Sequence, residues 1–174
     1  MLEIVATRDG VKPRLATADS FFSQHSTTPK YNKILINESA HLFPNPQETF
    51  YKAFEYLQEG GSLVLIQRCT LCTFPMWKAL EEAFAPISVE QLMQYLERVG
   101  LQVTMTVKVG TAKMTKHDWC DKLRRRMFTI LCEFTDEDIE KGIRELNQSW
   151  FPDKGENDVI EIRDRLVIFT ATKQ

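Results

Sequence analysis

Residues Tyr31–Arg68 constrain the fold more than any other part of the chain. An apolar run, Lys33–Asn37, gives way to the polar stretch Glu38-Ser39-Ala40-His41, and Pro44-Asn45-Pro46 then forces a turn. Phe50, Ala53, Phe54 and Leu57 recur at i, i+3, i+4 and i+7, which is one face of a helix. Gly60-Gly61 reads as the stop of that helix, and Ser62–Arg68 as a second apolar strand. Ile34, Leu35 and Ile36 are consecutive, the pattern of a parallel strand covered on both faces. Strand, helix and strand in this order build an α/β sheet. Ligands of such sheets bind beyond the carboxyl ends of the strands, where Asn37, Glu38 and His41 fall.

The alternation continues on both sides. Met1–Thr7 reads as the tail of a helix stopped by Asp9-Gly10, and Arg14–Thr17 as a short strand ending at Asp19-Ser20. Ser23–Lys30 is a polar loop. Trp77–Phe84 is a short helix, and Ser88-Val89-Glu90-Gln91 is a capping box opening a helix that Gly100 closes. Leu101–Val109 places Leu101, Val103, Met105, Val107 and Val109 on one face, as in a half-buried strand. Two helices are expected next, His117–Glu133 and, capped by Thr135, Asp136–Trp150. An acidic loop at Asp153–Asp158 precedes a last apolar strand, Arg165–Thr172, expected to run antiparallel beside its neighbour at one sheet edge.

With 174 residues the chain is long enough for one ordinary domain, spanning 1–174. A net charge of −2 gives no global attraction to nucleic acid. No apolar run reaches the ~18 residues of a membrane span, and the first residues lack a secretory leader. Cys69, Cys72, Cys120 and Cys132 form no framework of the small secreted type, so a reducing, cytoplasmic setting is expected. Cys69-Thr70-Leu71-Cys72 lacks a second CxxC or a His pair at ligand spacing, so no metal site is read from it.

The order of these elements resembles the C-terminal two-thirds of a class I S-adenosylmethionine-dependent methyltransferase. Ala18-Asp19-Ser20-Phe21-Phe22 is similar to the end of the family's third strand. Tyr31–Phe43 is similar to its fourth, and Leu57-Gln58-Glu59-Gly60-Gly61-Ser62-Leu63 to the turn into its fifth. Ile87–Val103 resembles the helix and start of strand six, and Arg165–Lys173 resembles strand seven, which in the family lies antiparallel between five and six. The resemblance implies a Rossmann-like sheet, N-terminally truncated, with an antiparallel last strand and a helical insertion before it. The family's Asp/Glu-x-Gly-x-Gly-x-Gly run is absent: the seven glycines are Gly10, Gly60, Gly61, Gly100, Gly110, Gly142 and Gly155. The chain is therefore read as starting inside the helix after strand two. The strand-four edge would then lie open, to be covered by strand three, by a second copy of the chain or by a partner protein.

The implied activity is methyl transfer from S-adenosylmethionine to a small-molecule acceptor such as a small organic acid, impaired in this chain by the missing loop. The alternative is a non-catalytic remnant that acts as a protein-interaction module. By resemblance, Asp19, Ser20 and Phe21 would meet the adenine, and Asn37 and Glu38 the rest of the cofactor; as an ordinary residue Asp19 caps a turn. His41 is placed to line the pocket or serve as a base, since histidine exchanges protons near neutrality, or to be a surface histidine. The insertion, residues 111–152, would wall the acceptor pocket. Within it Arg124 and Arg125 are candidates for gripping an acid, or belong to a solvated face paired with Asp118 and Asp121. Trp119 is either a substrate contact or core.

Overall fold

A computed structural model describes residues 10–23, 30–68, 74–83 and 87–174. The helix expected at Met1–Thr7, most of the loop at Ser23–Lys30 and the Cys69–Cys72 pair lie outside these residues. The described elements are α1 (Ala18–Ser23), β1 (Tyr31–Asn37), a 3-10 turn (Ala40–Leu42), α2 (Pro46–Glu55), β2 (Leu57–Arg68), α3 (Lys78–Ala83) and α4 (Val89–Arg98). After these come β3 (Gln102–Thr115), α5 (Lys116–Arg124), a second 3-10 turn (Thr129–Glu133), α6 (Asp136–Ser149) and β4 (Val159–Thr172).

The strands form one four-stranded sheet in the order β1-β2-β4-β3, so the last strand enters between the second and third, as expected. Side-chain and backbone bonds give the directions. Lys173 N–H donates to the Gly61 carbonyl at one end of β2, and Arg68 pairs with Asp164 at the other, so β4 runs against β2. Gln174 meets Gln102, Thr104 Oγ1 donates to the Thr170 carbonyl, and Lys116 N–H donates to the Asp158 carbonyl, so β4 also runs against β3. At the start of β1, Tyr31 N–H donates to the Tyr56 carbonyl just ahead of β2, as in a parallel pair.

The chain packs as two compact units. The first holds Met1–Leu65, Met93–Thr104 and Phe169–Gln174; the second holds Ile66–Leu92 and Met105–Ile168. In the first, α2 is set by local chemistry. Asn45 Oδ1 accepts the Glu48 N–H at 3.2 Å and Pro46 occupies the first turn, where its missing N–H costs nothing. Phe50 and Ala53 of α2, Leu63 and Leu65 of β2, and Leu96, Phe169 and Ala171 are buried. Each of the large ones contributes roughly 1.5–3 kcal/mol. The Ser88 box opening α4 is present, with Ser88 Oγ accepting the Gln91 N–H and Gln91 Oε1 accepting the Ser88 N–H.

Several sequence expectations are corrected in the first unit. Residues 11–17 form no strand, and α1 follows them directly, so nothing there slides in beside β1. β1 is an edge strand in this sheet, and its Leu35 is 62% exposed rather than covered on both faces. Gly60-Gly61 does not end α2. The helix stops at Glu55, and both glycines belong to β2. They are there because Gly60 takes φ +72° and a Cβ on Gly61 would stand 2.8 Å from the Gln58 carbonyl oxygen. Leu57, at the end of the helical stripe, is the buried first residue of β2 instead.

The second unit is built around Trp77, Trp119, Leu123, Leu131, Ile143 and Leu146 with their buried neighbours. Thr135 caps α6 as expected, in a full capping box with Asp138. The helix expected over His117–Glu133 is broken. α5 ends at Arg124, Arg126 turns left-handed at φ +53°, and a 3-10 turn completes the segment. Arg126 anchors the break by donating to the Phe134 carbonyl and to Asp136. This lets Leu131 reach the core, while Met127 stays 45% exposed. β3 runs six residues past its expected end, and Met105, Val107 and Val109, read as its buried face, are exposed: β3 is the outer strand.

Candidate functional site

In the first unit the candidates cluster on α1 and beyond the carboxyl end of β1. Asp19 stands in the first turn of α1, not at a strand end. Its Oδ1 accepts the hydroxyl of Thr49, a fully buried residue of α2, at 3.0 Å. Ser20 bonds back to Thr17, its N–H to Oγ1 and its hydroxyl to the carbonyl, which closes the turn that starts α1. Phe21 packs edge-on against Phe22 and tilted against Tyr56, with the Arg14 guanidinium 5.4 Å from its ring centre. The Tyr56 hydroxyl donates to the Phe22 carbonyl, so α1 is fastened to the chain leading into β2.

Asn37 is the exposed last residue of β1. Glu38 follows with φ +49°, a left-handed conformation that a non-glycine residue holds at a cost on the order of 1–3 kcal/mol. Such strain persists only where surrounding structure imposes it, and it gathers at functional sites. Glu38 is half-buried, and His41 follows, exposed, in the 3-10 turn.

In the second unit the basic run divides into distinct environments. Arg124 grips Glu140 of α6 through two bonds of 2.6 and 3.2 Å, which holds the guanidinium above and the Glu140 carboxyl below their ordinary ionisation ranges. Arg125 pairs with Asp121 at 2.9 Å on the exposed side of α5. Trp119 is 1% exposed and stacked on Phe74 with ring centres 5.9 Å apart, so it is a core residue, with its Nε1 buried and without a hydrogen-bond acceptor among the described residues.

Beside α5 lies a cleft of about 460 Å³ lined by Met114, Asp118, Asp121, Lys122, Arg125 and Met127. Only Arg125 among these is a sequence candidate for binding. The others carried no signal as a set, because β3, α5 and the break after Arg124 had to be placed before Met114 and Met127 could share a wall. The Thr49–Asp19 bond was equally silent, spanning 30 residues. Among the described residues no three His, Cys, Asp or Glu side chains gather as a metal site, and no helix is long and apolar enough to cross a membrane.

No family model and no curated protein matches the sequence. Solved structures do match the fold. A Bacillus halodurans protein assigned as a methyltransferase aligns over 87% of this chain and 74% of its own, with TM-score 0.54 and 16% identity. The YcgJ protein of Bacillus subtilis aligns over 88% of this chain and 68% of its own, with TM-score 0.55 and 12% identity. With β4 inserted against both neighbours and a helical segment before it, the chain has the fold of the class I S-adenosylmethionine-dependent methyltransferases.

Proposed function

We propose that this fold serves methyl transfer from S-adenosylmethionine to a small-molecule acceptor. One observation carries the reading: the strained, left-handed Glu38 stands at the carboxyl end of β1, in a sheet whose inserted last strand has the methyltransferase order. Ligands of α/β sheets bind at that end. The residues present fit the adenine end of the cofactor. Asp19 uses Oδ1 for Thr49, and among the described residues nothing bonds Oδ2, which remains available to an amino group. On this reading Ser20 and Phe21 frame the adenine, Asn37 and Glu38 hold the remainder, and His41 lines the pocket. When bound, the cofactor supplies an electrophilic methyl group. The chain contributes orientation and the exclusion of water, which suffice for an in-line displacement without a strong acid–base pair.

Affinity in these 174 residues is expected to be low. Hydrogen bonds accepted by Asp19 contribute on the order of 1–3 kcal/mol and aromatic stacking about 1–3 kcal/mol, against about 8 kcal/mol for micromolar binding. Calorimetric titration tests the reading. Saturable millimolar binding, weakened by Asp19→Ala, supports it. Micromolar binding retained in Asp19→Ala overturns the assignment of the adenine site. Absence of saturable binding favours a second reading, a non-catalytic interaction module, which rests on the exposed Leu35 of edge strand β1.

A further inference from the structure

We propose that the cleft beside α5 binds a small zwitterion, its ammonium group toward Asp118 and its acid group toward Lys122. The cleft sits at the carboxyl end of β3, where Met114 is the next-to-last strand residue and α5 begins at Lys116. That end of an α/β sheet is where ligands bind. The cleft is an open one of about 460 Å³, with Asp118, Lys122, Arg125 and Met127 exposed along it.

The charges select the ligand. Asp121 and Arg125 neutralise one another at 2.9 Å. Asp118 and Lys122 remain, one turn apart on α5. Neither has an ion-pair partner within 4.0 Å among the described residues, and they do not pair with each other. The Asp118 carboxyl is held below its ordinary range, first by the Thr115 hydroxyl, so it stays anionic. A simple anion entering the cleft would meet two carboxylates, and a simple cation would meet Lys122 and Arg125. A molecule carrying both charges satisfies Asp118 and Lys122 together. Side chains one helical turn apart are about 5–6 Å apart at Cβ, the span of a four-carbon ω-amino acid. Met114 and Met127 offer soft, adaptable thioether walls to its methylene stem. Its binding requires no cofactor.

The test is an NMR titration of the 174-residue chain, without cofactor, using 4-aminobutanoate, butanoate and butylamine. Saturable shifts of the Met114 and Met127 methyl signals are expected with 4-aminobutanoate, with the singly charged analogues at least ~10-fold weaker. Asp118→Asn keeps the backbone N–H that caps α5 on Thr115. It and Lys122→Met are each expected to weaken binding ~10-fold or more while circular dichroism stays unchanged. Equal binding of butanoate and 4-aminobutanoate, binding unchanged in both variants, or unmoved methionine methyls would overturn the proposal. Failure of the S-adenosylmethionine titration would overturn the proposed cofactor site alone and leave the zwitterion site standing.

Discussion

Gly142→Ala sets two effects of opposite sign against each other inside α6. In a solvent-facing helix, alanine would stabilise by about 1 kcal/mol over glycine. At position 142 a Cβ would lie 2.3 Å from both Cδ2 and Cε2 of Trp77 and 2.8 Å from Cε3. Carbon atoms prefer about 3.5–4.0 Å, so the overlap exceeds 1 Å on a rigid ring. The indole has nowhere to go: Trp77 is 3% exposed and packs edge-on against Phe134 at 5.9 Å. Overpacking of this kind costs typically 1–3 kcal/mol, and three ring atoms place it at the upper end. The net expectation is a loss of about 2 kcal/mol, or a melting point lower by roughly 4–8 °C for a chain of this size. Urea denaturation followed by tryptophan fluorescence measures it. Placing Gly142→Ala in a Trp77→Ala background should recover the helix gain and reveal the coupling between the two positions. A midpoint unchanged or raised in the single variant would refute the claim that Trp77 is pinned against α6.

Thr135→Ala removes the hydroxyl that accepts the Asp138 N–H at 3.1 Å, and should cost about 1 kcal/mol in the same urea assay. Acid should destabilise the second unit in a defined window. Asp138 is held below its ordinary 3.8 by the Thr135 hydroxyl, and Glu140 below its ordinary 4.5 by Arg124. Lowered folded-state values stabilise above the unfolded values and lose that contribution as pH falls through them, so stability should drop as pH decreases below about 4.5; thermal melts from pH 6 to 3 check the sign, and Arg124→Ala should flatten part of the drop. Leu35→Lys on edge strand β1 should abolish any self-association seen by light scattering at high concentration, and undiminished association would place the contact elsewhere. Residues 11–17, exposed and outside any strand, should exchange their amide hydrogens faster than β2.

Local chemistry made much of the fold legible. Ser88–Gln91 and Thr135–Asp138 each start a helix where the sequence places one, because a cap needs only residues three apart; Asn45-Pro46, read only as a turn, starts one too. The strand order followed from resemblance to a family rather than from any residue pattern. Periodicity failed where neighbours decide burial. Leu35 and the Met105–Val109 alternation read as covered faces, yet β1 and β3 are the outer strands, and no pattern within a strand reveals which strands the sheet leaves outermost. Gly60-Gly61 reads as a helix stop because glycine favours one, but close approach of the Gln58 carbonyl places the pair inside β2. The apolar stripe of His117–Glu133 is continuous in sequence, yet the helix breaks at Arg126, which turns left-handed and bonds Phe134 and Asp136.

The candidate sites divide along the same line. Glu38 and His41 could be named from the sequence because they follow an apolar run directly, and a strand's end is a local fact. The left-handed turn at Glu38, the Thr49 bond to Asp19, the engagement of Arg124 by Glu140 and the cleft shared by Met114 and Met127 join residues 13 to 30 positions apart or depend on the backbone path between them. Sequence by itself determined the caps, the helix faces and the residue types near the strand ends, since these rest on interactions within a few residues. Tertiary structure alone decided which charges are spent on one another and which face a cavity, because that depends on distances through space that no local spacing encodes.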